Sequence, residues 1–183
     1  MKTTYKNNIT TRKEQERRNL MATFSTNKSK LIVIKSKGNS GKTTTIWMTY
    51  LELLNRGAKV LSFSGTYGGN PWTAPIVLPA ANARYDFVAE LLWNEKRIVL
   101  ISQGDEYTYV DSELLKVLPT GPDFVICASR SQNRVNSTWE LFVNKYTNLI
   151  YDRICFWSEF AQHPLDEERV KKSTVEAIIK YML

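Results

Sequence analysis

The residues of this chain best suited to chemistry lie together, in Ser36-Lys37-Gly38-Asn39-Ser40-Gly41-Lys42-Thr43-Thr44-Thr45. Gly41-Lys42-Thr43 is the end of a Walker A loop. Glycines let backbone N–H groups turn inward around phosphates. The start of a following helix adds its partial positive charge. In that setting Lys42 bridges the terminal phosphates of a nucleotide, and the Thr43 hydroxyl ligates Mg²⁺. The candidate binding residues are Lys37, Gly38, Asn39, Ser40, Gly41, Lys42, Thr43 and Thr44. Ser36 stands where the full pattern G-x-x-x-x-G-K-[ST] has its first glycine. ATP and Mg²⁺ are the expected cofactors.

Phosphate chemistry also needs an acid near the metal. Asp105, in Gln103-Gly104-Asp105-Glu106, is the candidate metal ligand or orienting carboxylate, with Glu106 in reserve. The competing reading is an aspartate in an ordinary turn. Arg130 and Arg134 could clamp a transferring phosphoryl group or an anionic acceptor. A solvated loop is the other reading for both. The catalytic set is therefore Lys42, Asp105, Lys37 and Arg130. Tyr67, Gly68, Gly69 and Trp72 lie in a Gly- and Pro-rich stretch (64–82) that could form an acceptor pocket, a partner surface or a plain connection. Asn144-Lys145 lacks the aspartate of a guanine-reading N-K-x-D, since Thr147 fills that place. His163 is the single histidine, and no G-x-S-x-G supports a hydrolase triad through it. Cys127 and Cys155 fall in apolar strands and read as buried packing residues.

The elements that must position these groups alternate. LIVIK (31–35) is a short apolar run, the mark of a strand buried on both faces. A helix over Thr43–Asn55 follows, with Ile46, Leu51, Leu53 and Leu54 as its stripe and Gly57 as its stop. Strands are expected at 59–63, 97–102 and 123–129, with a fifth within 149–157. Helices are expected at Arg84–Glu95 (Phe87, Val88, Leu91 and Leu92 inward), after an Asp111 cap, from a Ser137 cap to Asn148, and over Asp166–Met182. This alternation predicts an α/β fold, a three-layer sandwich with a mostly parallel central sheet of the P-loop NTPase type. Ligands then bind in the loops after residues 35, 63, 102 and 129, at the carboxyl ends of the strands.

Over residues 31–63 the chain resembles the partition and division-site ATPases, the ParA and MinD group within the P-loop NTPase superfamily. The resemblance lies in Lys37-Gly38-Asn39-Ser40-Gly41-Lys42-Thr43-Thr44-Thr45, the helix end Asn55-Arg56-Gly57, and Lys59-Val60-Leu61. It implies that Lys37 reaches the phosphates of a partner subunit in an ATP-dependent homodimer. Three positions depart from that pattern. Asn39 replaces a glycine, and Ser64 and Ser102 stand where the second and third strands of the family end in aspartates.

Composition narrows the class. The chain has 183 residues, 43% of them hydrophobic, and a formal charge of +7. That is enough for one globular domain with its own core. Two cysteines and one histidine exclude a disulfide scaffold and a zinc site of several Cys/His ligands. No run approaches the roughly 20 apolar residues of a membrane span, and the first residues lack a secretory h-region, so the expected compartment is cytoplasmic. Residues 1–42 hold eleven basic side chains against two acids, while the remainder is slightly acidic. The charge thus divides between an arm (1–30) and the phosphate loop of a nucleotide-binding domain (31–183). The arm could hold nucleic acid through its phosphates or be a solvated tail. It could also be dispensable, if Met21 is the true start.

Three functions fit these residues. The first is an ATPase whose nucleotide state controls dimerisation or a partner. The second is a kinase passing the γ-phosphate to a small molecule or nucleotide. The third is a nucleotide-binding module with little turnover.

Overall fold

The computed structural model describes residues 28–36, 41–67, 70–72, 85–130, 138–157 and 164–183. The strands are β1 (Ser29–Ser36), β2 (Lys59–Tyr67), β3 (Asn70–Trp72), β4 (Tyr85–Trp93), β5 (Lys96–Ile101), β6 (Phe124–Arg130) and β7 (Ile150–Trp157). The helices are α1 (Lys42–Asn55), α2 (Tyr107–Val117), the short α3 (Thr138–Glu140) and α4 (Pro164–Met182). A 3₁₀ turn (Leu118–Thr120) follows α2, and α3 runs on as a π-helical turn (Leu141–Lys145).

Among the described residues the strands form one sheet in the order β3-β2-β4-β5-β6-β1-β7. The expectation of a mostly parallel sheet of the P-loop type is corrected here, because the sheet is mixed. β5, β6, β1 and β7 run parallel to one another. β2 is antiparallel to both β3 and β4, and β4 is antiparallel to β5.

The cause is one segment. Residues 85–93 form a strand where a helix was expected. Phe87, Ala89, Leu91 and Trp93 are buried in alternation with half-buried Val88, Glu90 and Leu92. The chain then reverses through Asn94 and Glu95, both at positive φ (50° and 63°). Two such residues are what a tight two-residue hairpin requires. Three other boundaries differ clearly from the expected ones. β2 runs on to Tyr67 and pairs with β3, so part of the 64–82 stretch is sheet rather than connection. The helix expected to reach Asn148 ends as the π turn at Lys145. α2 starts at Tyr107 behind Glu106 rather than at Asp111. Asp111 instead accepts hydrogen bonds from Lys145 Nζ (2.6 and 2.7 Å) and from Tyr146 OH (2.5 Å), tying α2 to the π turn. The expected cap Ser137 lies outside the described residues.

Each face of the sheet has its own core. On one, Ile32, Ile34 and Ile126 pack with Ile46 and Leu53 of α1 and Ile178 and Met182 of α4. On the other, Leu31, Val33 and Val125 meet Val110 and Leu114 of α2 and Leu141 and Phe142 of the π turn. Each such aliphatic side chain, fully buried, contributes about 1.5–3 kcal/mol. An aromatic cluster of Trp47, Tyr50, Phe63 and Phe87, with ring centroids 5.2–6.4 Å apart, fastens α1 to β2 and β4. Cys127 is buried as expected, but Cys155 is exposed, because it lies on the edge strand β7.

The mixed topology still brings several strand ends to a single edge. β5, β6 and β1 end there together. Because β4 runs antiparallel to β5, its first residues, Tyr85 and Asp86, arrive at that same edge.

Candidate functional site

Gly41 sets the entry to α1. Its φ of 74° is left-handed, open to glycine at little cost. Its carbonyl accepts the Thr45 N–H at 2.8 Å and the Thr45 hydroxyl at 3.1 Å. Lys42 and Thr43 therefore open the helix, at the positive end of its dipole. The hydroxyl of Thr43 points to the carbonyl of Ser102 at 3.4 Å, and the Tyr85 hydroxyl reaches Thr44 Oγ1 at 3.4 Å. These two links join the start of α1 to the ends of β5 and β4.

Asp105 lies in the loop after β5, and Arg130 is the last residue of β6. They meet in a two-pronged pair, Nε to Oδ1 at 2.9 Å and Nη2 to Oδ2 at 3.1 Å. Lys42 Nζ stands 3.5 Å from the same Oδ1. Three residues read from the sequence as catalytic thus converge. Lys42 is buried (6% exposed), whereas Asp105 and Arg130 are 41% and 50% exposed. Burial lowers the pKa of Lys42, against the opposing pull of Asp105. Burial alone would raise the Asp105 carboxyl. The Arg130 hydrogen bond and the Lys42 charge outweigh it and hold the group below its ordinary range. The carboxylate is thus anionic and fills a place where two cations converge, a geometry that equally suits a phosphate oxygen.

The loop that carries Asp105 is held tightly. The Gly104 carbonyl accepts from Thr138 Oγ1 at 2.9 Å, and that hydroxyl lies 3.0 Å from Ser129 Oγ. A Cβ built on Gly104 would overlap the backbone carbonyl and the side chain of Ala128. Glycine is therefore required by the close approach of loop and strand.

Ser102 is wholly buried, and its hydroxyl accepts the Phe87 N–H at 2.8 Å. It serves the β4–β5 junction. Lys37, Gly38, Asn39, Ser40, Gly68, Gly69, Arg134 and His163 lie outside the described residues, as do the side chains of Tyr67 and Trp72 and the arm before residue 28. Glu106 accepts hydrogen bonds from Gln103 and Thr108.

Asp86 was not singled out by any motif. It is half-buried at the start of β4, and its carboxyl is pushed up to about 6, first by burial and then by the charge of Asp105. The only signal was an acid in an otherwise apolar run, Tyr85-Asp86-Phe87-Val88, a pattern any strand mouth can show. A carboxyl raised in the folded state holds its proton more tightly there than in the unfolded chain. It therefore costs stability progressively as pH rises from near 4 through 6, and the cost is complete above that. Asp86→Asn should raise unfolding stability at pH 7.5 by about 1 kcal/mol, after discounting for partial exposure. At pH 4 the variant and the parent should coincide. Denaturant unfolding at the two pH values checks this, and a gap that persists at pH 4 would contradict it.

Among the described residues no cluster of three or more His, Cys, Asp or Glu side chains could cage a metal. Among them, too, no helix is long and apolar enough to cross a membrane. No family model, curated protein or solved structure matches the chain.

Proposed function

We propose that this chain binds ATP with Mg²⁺ where β1, β5 and β6 end, and that it is an ATPase whose nucleotide state controls dimerisation or a partner. The observation that carries the reading is the convergence of Lys42 and Arg130 on one carboxylate beside the start of α1. Terminal phosphates would take over both cations, because they carry more charge than the carboxylate they replace. Arg130 would then stabilise charge on the transferring phosphoryl group as water attacks phosphorus and ADP leaves.

Thr43 and Asp105 would hold Mg²⁺. Both offer hard oxygen donors, and a site with few protein ligands suits an ion that keeps its waters and the substrate phosphates. When bound, Mg²⁺ supplies neutralisation of the phosphate charge. The dimer component rests on the resemblance around Lys37. Ser102 favours a second reading, a nucleotide-binding module with little turnover. Its buried, occupied hydroxyl stands where a catalytic acid would be expected.

Calorimetric titration with ATP·Mg²⁺, phosphate-release assays and light scattering with and without ATP test these statements together. Absence of ATP binding overturns the proposal. Binding without release selects the second reading. A protein that stays monomeric with ATP, or a Lys37→Ala variant that associates like the parent, removes the dimer component.

A further inference from the structure

The phosphate site has two sides. Toward β6 and β5 it is filled by the Asp105 loop, pinned by Thr138 and crossed by Arg130. Toward β7 it is bordered by the edge strand of the sheet. On the phosphate-site reading, a nucleotide with its phosphates at Lys42 would extend its sugar and base along the second side.

That side ends in an indole. The β1–β7 register sets Trp157 opposite Lys35 and Phe156 opposite Ile34. Ile34 and Phe156 pack toward α1 and α4, so by strand alternation Lys35 and Trp157 emerge on the opposite face. The Lys35 ammonium lies 4.1 Å from the Trp139 ring centroid and 5.7 Å from that of Trp157. Trp139 is half-buried against the second core, whereas Trp157 is 55% exposed. Trp157 is also the last residue of β7, one strand spacing (about 4.8 Å) to the side of β1. The strand that feeds the phosphate loop thus has a large, open π-face beside its end.

Resting on the phosphate-site reading, we infer that Trp157 is the stacking platform for the nucleobase of the bound nucleotide, with Lys35 fixing the ring from the strand beside it. The other exposed aromatic of β7, Tyr151, lies at the far end of the strand and cannot serve. Stacking reads the face of a base and not its hydrogen-bonding edge. The platform therefore supplies affinity for the base without choosing adenine over guanine. It also accounts for a site in which no base-reading motif is visible.

The test compares ATP with inorganic tripolyphosphate, both with Mg²⁺, by calorimetry on the full chain. Wild type should bind ATP about tenfold or more tightly than tripolyphosphate, the range expected for one stacked base. Trp157→Ala should bring ATP down to the tripolyphosphate level and leave tripolyphosphate unchanged. Trp157→Phe, which keeps an aromatic face, should retain most of the difference. Equal affinity of wild type for the two ligands overturns the inference, as does an ATP affinity that ignores Trp157→Ala. A parallel loss of both ligands in Trp157→Ala also overturns it, because the ring would then act through the fold. Failure of wild type to bind either ligand defeats the phosphate-site reading itself, and this inference with it.

Discussion

Lys42→Ala should lower the affinity for ATP·Mg²⁺ by about a hundredfold or more, while the protein stays folded. A buried ammonium that bridges two phosphate oxygens makes charge-assisted hydrogen bonds worth about 1.5–3 kcal/mol each, and every 1.4 kcal/mol is a factor of ten. The fold should survive for two reasons. Asp105 keeps both of its bonds to Arg130, at 2.9 and 3.1 Å, so that carboxylate is not left unpaired. Alanine is also the best helix former at a helical position. Lys42→Met, which preserves the buried stem, should show the same loss and so separate charge from packing. Calorimetry measures the affinity and circular dichroism the fold. A Lys42→Ala variant that binds ATP like the parent would remove the phosphate site from this edge of the sheet.

Gly104→Ala should be the most damaging small substitution in the site. The added methyl has no space, since it meets the backbone of Ala128 in β6 and no flexible side-chain end can yield. Overpacking of this kind costs roughly 1–3 kcal/mol, and more where backbone must move. In a chain of this length that lowers the melting temperature by about 3–10 °C. The loop must shift away from Thr138, and Asp105 moves with it. The variant should therefore lose ATP affinity as well as stability, unlike Lys42→Ala, which loses affinity alone. A thermal melt superimposable on the parent's would contradict the close apposition of loop and strand.

The sequence made the strand before Gly41-Lys42-Thr43 and the helix after it legible because both signals were local. LIVIK is apolar throughout, and Gly41-Lys42-Thr43 sits between a strand and a helix. Asp105 and Arg130 were legible as the first charged groups after two apolar strands. Their pairing with Lys42 was not, since it depends on how β5, β6 and β1 lie side by side. The antiparallel half of the sheet was missed for a physical reason. Phe87, Val88, Leu91 and Leu92 recur at a spacing that suits a helical face. The deciding alternation of Phe87, Ala89, Leu91 and Trp93 includes a small alanine that contributes little apolar signal. The turn that closes the hairpin uses Asn94-Glu95 rather than Asn-Gly, so its strongest marker is absent. Reading that strand as a helix turned a mixed sheet into a parallel one, and it hid Asp86 at the strand's entrance.

The strand order has a consequence for how the molecule comes into being. β4 and β5 are joined by a two-residue turn and can pair as soon as they are made. β1, which leads toward Gly41-Lys42-Thr43, is the first of the described strands to be synthesised, yet its partners β6 and β7 are made late, with Lys30 waiting for Phe124 and Ser29 for Ile150. Contacts between such distant parts of a chain are slow to form, because a long loop must close before any pairing rewards it. On a ribosome, β1 would therefore remain without its sheet partners until most of the domain had emerged. The meeting of Lys42, Asp105 and Arg130 would be among the last features to take shape, and a truncated chain ending before β6 could not assemble it.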